Sequence, residues 1–121
     1  MRRILIVDDE PNILLSLDFL MRKSGYTVLL ARNGTEALEH IQQSKPDLIL
    51  LDIMMPDVDG YEICQKTKSD SKTSHIKIIF LTAKSKESDI AKGLEMGADA
   101  YITKPFTNKN LLEEVKLILE K

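Results

Sequence analysis

The chain has 121 residues, of which 43% are hydrophobic and 30% charged, with a formal net charge of −2. Such a length suits one globular domain over residues 1–121 with a core of its own, and so small a net charge leaves no electrostatic footprint for direct nucleic-acid or membrane binding. One cysteine excludes an intrachain disulfide, no apolar run approaches the roughly 18–20 residues of a membrane span, and a cytoplasmic location is expected.

Met1-Arg2-Arg3 leads into Ile4 to Val7, a run too short and too acidic in its flank for a signal peptide. It reads as a strand that ends in Asp8-Asp9-Glu10. Pro11 suits the first position of a helix, where its missing N–H is not needed. Ile13, Leu14, Leu17, Leu20 and Met21 form that helix's apolar stripe, and Gly25 is its stop. Tyr26 to Ala31 gives a second strand, and Asn33 with Glu36 has the N-cap-to-N3 spacing of a capping box. The third strand, Leu48 to Leu51, closes on Asp52. Asp59 and Glu62 repeat the cap spacing after a loop through Met54, Met55, Pro56 and Asp57. Ile76 to Leu81 is the fourth strand, followed by Thr82-Ala83, with Ser85 as the expected N-cap of the next helix. Ala100 to Thr103 is the fifth, followed by Lys104-Pro105-Phe106. Thr107 then caps a last helix with the stripe Leu111, Leu112, Val115, Ile118 and Leu119.

Continuously apolar strands alternating with amphipathic helices predict an α/β fold. It is a doubly wound (βα)5 unit whose parallel sheet is covered on both faces and joined by right-handed crossovers. In such sheets ligands bind beyond the carboxyl ends of the strands. The acids Asp8, Asp9 and Asp52, the hydroxyl of Thr82 and the ammonium of Lys104 all follow strands, so they should converge on one edge. Gathered carboxylates repel one another unless a cation joins them. With only oxygen ligands on offer, the expected ion is Mg²⁺, held by one or two carboxylates plus a phosphate. A carboxylate acting as nucleophile can form an acyl phosphate, and Lys104 with the metal would neutralise charge on the transferring group.

With these residues in order, the sequence resembles the receiver domains of two-component response regulators over essentially its full length. The resemblance rests on Asp8-Asp9, Asp52, Thr82-Ala83 and Lys104-Pro105-Phe106 at the strand ends. Met55-Pro56-Asp57, Asp59-Gly60-Tyr61 and Gly97-Ala98-Asp99-Ala100-Tyr101 also match the family's pattern. It implies a flavodoxin-like strand order of 2-1-3-4-5, with Asp52 accepting phosphate from a histidine kinase or histidine phosphotransfer protein. Asp8, Asp9, Asp52 and the Met54 carbonyl would hold Mg²⁺. Thr82, the Ala83 N–H and Lys104 would hold the phosphoryl group, with Tyr101 a switch aromatic that turns inward as Thr82 is drawn to the phosphate. A cis Lys104–Pro105 bond is implied too, and Met54 and Lys84 would flank the site and set the acyl-phosphate lifetime. The output surface would comprise Ser85 to Met96, the strand around Tyr101 and the helix from Thr107, facing a downstream effector protein or an output domain. No output domain follows Lys121, so a stand-alone regulator and a receiver excised from a longer chain are both compatible.

Other features have plainer readings. Asp57 and Asp59 are expected as turn and cap residues rather than metal ligands. Cys64 is expected as an inert packing residue and His40 and His75 as surface histidines, and Gly93-x-x-x-Gly97 means little outside a membrane. Among rival functions, a flavin-binding domain would need a Ser-, Thr- or Gly-rich loop where Asp8-Asp9-Glu10 stands, and no Gly-x-Gly-x-x-Gly or Walker A motif follows a strand. A phosphorylation-independent receiver-like docking module would be expected to have lost an acid, the threonine or the lysine. A Mg²⁺-dependent phosphohydrolase would need a substrate pocket and a second general acid, so no enzyme role is assigned.

Overall fold

Side-chain parity along the strands organises the molecule. The computed structural model describes residues 2–120. In chain order it contains β1 (Arg3–Val7), α1 (Pro11–Lys23), β2 (Thr27–Ala31), α2 (Gly34–Ser44), β3 (Leu48–Leu51), α3 (Gly60–Ser69), β4 (Lys77–Thr82), α4 (Glu87–Glu95), β5 (Ala100–Thr103) and α5 (Asn108–Leu119). All strand pairs are parallel, and the sheet order is β2-β1-β3-β4-β5. Successive residues of a strand point to opposite faces. Ile4, Ile6, Leu48, Leu50, Ile79 and Leu81 therefore pack with Leu14, Leu17 and Met21 of α1 and Leu111, Val115 and Ile118 of α5. Leu5, Val7, Ile49, Leu51, Ile78 and Phe80 pack on the other face with Ala37 and Ile41 of α2 and Tyr61, Ile63 and Cys64 of α3. Because both faces are covered, the strands read as unbroken apolar runs, as expected.

Local chemistry sets the helix ends. Pro11 opens α1. At its close the Gly25 N–H donates to the Arg22 carbonyl and the Tyr26 N–H to that of Met21, the two bonds of a Schellman ending. Gly25 has φ +96°, a conformation open to glycine at little cost. Asn33, Asp59 and Thr107 accept from the backbone N–H groups of Glu36, Glu62 and Asn110, so all three cap as expected. The reciprocal half of each capping box does not form. Glu36 accepts instead from the Arg32 N–H, and Glu62 pairs with Lys66 at 3.1 Å. Ser85 is not a cap: Lys86 holds the N-cap position of α4 without a side-chain bond. Glu87 and Asp89 in the first turn complement the helix dipole in its place.

Cys64 is fully buried and donates weakly to the Met96 carbonyl at 3.5 Å. His75 is exposed and His40 half-buried, and neither joins a ligand cluster among the described residues. Among the described residues no helix is long and apolar enough to cross a membrane.

Phe80 is the largest fully buried side chain and bridges Tyr61 and Tyr101, with ring centroids 5.6 and 5.7 Å away. Phe80→Ala is expected to lower stability by about 3–5 kcal/mol, read from urea unfolding. Burial pushes the Cys64 thiol up to about 11. Very little thiolate is then present at neutral pH, so alkylation of the native protein should be far slower than in urea.

Candidate functional site

The parallel register brings the strand ends level. Val7 lies beside Leu51 and Leu51 beside Phe80, while Thr82 lies beside Thr103. One further rung continues past the strands. The Asp8 N–H donates to the Ala31 carbonyl and the Asp52 N–H to that of Val7, each at 3.1 Å; the Lys104 N–H donates to the Thr82 carbonyl at 2.8 Å. Three of the predicted side chains therefore spring from backbone held by the sheet. Since β1 lies between β2 and β3, Asp8 and Asp52 stand at the point where the winding direction reverses, where such sheets form their crevice.

Oxygen atoms of Asp8, Asp9 and Asp52 lie within 4.8 Å of one another. Asp8 and Asp52 are buried and Asp9 exposed. Lys104 reaches in opposite them, its Nζ 2.8 Å from Asp8 Oδ2 and 3.8 Å from Asp52 Oδ2. The Glu10 N–H donates to Asp8 Oδ1, so both oxygens of Asp8 are engaged. The Ile53 N–H donates to Asp52 Oδ1 at 2.8 Å. Burial raises the pKa of Asp52 and the charge of Asp8 adds to the rise, against the opposing pull of Lys104, the Thr82 hydroxyl and the Ile53 N–H. Three acids facing one ammonium leave surplus negative charge, and the donor set is all oxygen. That combination fits a hard divalent cation.

A cavity of about 210 Å³ opens here, lined by Asp9, Glu10, Asp52, Met54, Thr82, Ala83 and Lys104. It falls below the roughly 300–1,000 Å³ of pockets that enclose a drug-sized ligand, and it suits a phosphoryl group better than a flavin. Thr82 is fully buried, and its Oγ accepts from the Lys84 N–H at 3.4 Å. The Met54 side chain is exposed at the rim. Lys84 adjoins the cavity through its N–H on Thr82, and its ammonium turns to Asp89, 3.8 Å away. The Lys104–Pro105 bond is cis. Tyr101 stands outside the cavity and half-buried, donating from its hydroxyl to the Lys84 carbonyl at 2.8 Å.

Three residues named in the sequence make contacts that the sequence did not disclose. Gly60 opens α3 directly behind Asp52: its N–H donates to the Ile53 carbonyl at 2.9 Å, and a Cβ there would collide with the Asp52 carbonyl oxygen. A glycine just after an N-cap aspartate was the available signal. Tyr61, next along, donates to the Asp89 carbonyl at 3.0 Å, and the Lys92 ammonium lies 4.4 Å from its ring centre. No local pattern announces that pairing. Asp57, expected only as a turn or cap residue, caps a helix other than its own. Its carboxylate accepts from the Gly34 and Thr35 N–H groups and the Thr35 hydroxyl, which hold it well below the usual carboxylate range.

The family model for the response regulator receiver domain matches residues 4–116. The chain is 43% identical over 120 residues to the alkaline phosphatase synthesis transcriptional regulatory protein PhoP of Bacillus subtilis, covering 99% of this chain and 49% of that protein. It thus spans about half the length of that relative. A CheY-like receiver domain protein from Methanospirillum hungatei superposes with a TM-score of 0.93 at 36% identity, over 99% of this chain and 94% of that one. The BeF3-activated DrrB receiver domain superposes at 0.92, also at 36% identity, over 100% and 99%.

Gly60→Ala must displace backbone rather than a flexible side chain, so it is expected to lower stability by about 1–3 kcal/mol, measured by urea unfolding.

Proposed function

The chain belongs to the response regulator receiver domain family, and on that premise we propose that Asp52 is its phosphoacceptor. One observation carries this assignment: the Asp52 carboxylate is within reach of every other group, within 4.8 Å of oxygens of Asp8 and Asp9, bonded by the Thr82 hydroxyl and 3.8 Å from the Lys104 ammonium. Lys104 sits closer to Asp8, 2.8 Å from its Oδ2 against 3.8 Å for Asp52, while the Thr82 hydroxyl bonds Asp52. The donor is a phosphohistidine of a histidine kinase or a histidine phosphotransfer protein. A carboxylate oxygen of Asp52 attacks phosphorus, the phosphorus–nitrogen bond breaks, and the histidine leaves with the electron pair of that bond.

Asp8, Asp9 and Asp52, with the Met54 carbonyl, are the groups that would hold Mg²⁺. When bound, the ion supplies charge neutralisation for the phosphoryl oxygens. Lys104 turns from Asp8 toward the phosphoryl group, and the Thr82 hydroxyl and the Ala83 N–H donate to it. Lys84 follows Thr82 by two residues and its carbonyl holds the Tyr101 hydroxyl, so a shift of Thr82 reaches Tyr101 through one hydrogen bond. Reversing a population from 1:99 to 99:1 takes about 5.5 kcal/mol. Two or three charge-assisted bonds at about 1.5–3 kcal/mol each supply energy of that order. The result passes to an effector protein or an output domain through α4, β5 and α5. This is a signalling domain, and its donor class sets it in the cytoplasm. A docking module indifferent to phosphorylation draws no support, since each acid, the threonine and the lysine are in place.

Incubation with acetyl phosphate and Mg²⁺ should add one phosphoryl group by intact mass, with no addition in Asp52→Asn or in excess EDTA. Labelling of Asp52→Asn to the wild-type extent would overturn the assignment, and labelling in EDTA would remove the cation from it.

A further inference from the structure

We propose that Asp57 is a positioning residue for the cation, hooking the loop after β3 onto the N-terminus of α2 and so setting where the Met54 carbonyl stands. This rests on the reading above, in which that carbonyl is a Mg²⁺ ligand.

The loop between Asp52 and Asp59 carries the only backbone group assigned to the ion, and nothing in its sequence stiffens it except Pro56. Its base is stapled where the Gly60 N–H meets the Ile53 carbonyl at 2.9 Å. Its tip is held by Asp57 alone among the loop's carboxylates, since Asp59 faces the other way to cap α3. Asp57 Oδ1 accepts from the Gly34 N–H at 2.9 Å. Oδ2 accepts from the Thr35 N–H at 3.0 Å and the Thr35 hydroxyl at 2.7 Å. Gly34 and Thr35 are the first residues of α2, whose amides have no partner within the helix. Asn33 satisfies only the next one, that of Glu36. The loop carboxylate thus completes the cap of a helix 22 to 23 residues away in sequence. Val58 reinforces the junction, packing so closely on Gly34 that a Cβ at Gly34 would collide with it.

Asp57 is exposed, and its carboxylate is spent on these bonds rather than on the acidic cluster. The hook therefore acts on the cation through the backbone, three residues back at Met54, which lines the cavity. A ligand carried on a loop binds better when the loop is already in place, because ordering it need not accompany binding. A plain capping role would change stability and leave Mg²⁺ affinity untouched.

The test is titration of the whole chain with MgCl₂, followed by backbone amide shifts, alongside urea unfolding. Removing groups that orient metal ligands commonly weakens affinity by about 10–100-fold, and Asp57→Ala is expected near the lower figure. Asp57→Asn, which keeps one carbonyl acceptor, should lie between it and wild type. The loss should persist in about 0.5 M KCl, where charges act over only roughly 4 Å. Wild-type affinity in a folded Asp57→Ala protein overturns the proposal, as does a loss that high salt erases, which would make it a distant-charge effect. Should Asp57→Ala fail to fold, Thr35→Val decides. It keeps every charge and removes one of the three bonds, so a smaller loss of the same sign supports the hook and unchanged affinity overturns it. A wild-type chain that binds no Mg²⁺ defeats the site reading itself, an outcome distinct from wild-type binding that survives Asp57→Ala.

Discussion

Everything at the carboxyl edge of the sheet depends on an imbalance of charge. Asp8, Asp9 and Asp52 converge within 4.8 Å, and Lys104 is the ammonium set among them. Water would disperse that repulsion, but Asp8 and Asp52 are nearly sealed from it. The fold tolerates the arrangement because the groups are not free to part. The backbone amides of Asp8, Asp52 and Lys104 are bonded into the sheet's last rung, and behind Asp52 stands the start of α3, fitted so closely that only glycine serves there. The stability of two apolar layers thus holds in place a cluster that would otherwise separate, a local conflict of the kind concentrated at functional sites. A cation and a phosphoryl group are the complements such a cluster lacks.

Much of this was legible in sequence for a physical reason. Strands buried on both faces announce themselves as unbroken apolar runs, and strand ends in a parallel sheet fall on known edges, so the approach of Asp8, Asp52, Thr82 and Lys104 follows from connectivity alone. The strand limits shifted by a residue at Arg3, Tyr26, Ile76 and Thr82, where the chain enters or leaves the ladder. The caps at Asn33, Asp59 and Thr107 were legible because they act within three residues.

What sequence did not disclose was longer in reach or indifferent to type. Asp57 has the spacing of a turn residue, and nothing near it says that its partners lie more than twenty residues back. Tyr61 occupies a stripe position where any large apolar group would fill the core; its hydroxyl finds Asp89 only because α3 and α4 adjoin in space. Ser85 failed as a cap because α4 begins two residues later, with acids in its first turn serving the dipole. Lys84 was expected beside the site; that its ammonium pairs with Asp89 of α4 was not legible, because the partner is set by how α4 packs.

Helix α4 is anchored unlike the others. It buries only Gly93, against the ring of Tyr101, and leaves Leu94 exposed. Its tether near the N-terminus consists of two phenolic hydroxyls, Tyr61 on the Asp89 carbonyl and Tyr101 on that of Lys84. A segment held by few apolar contacts and a pair of polar hooks has a low free energy of local opening, well beneath that of the whole fold. The anchoring is therefore graded: a sheet and four helices share the two apolar layers, and one helix rests on them through few buried side chains. Of the five helices it is the one whose seating costs the rest of the fold least to change.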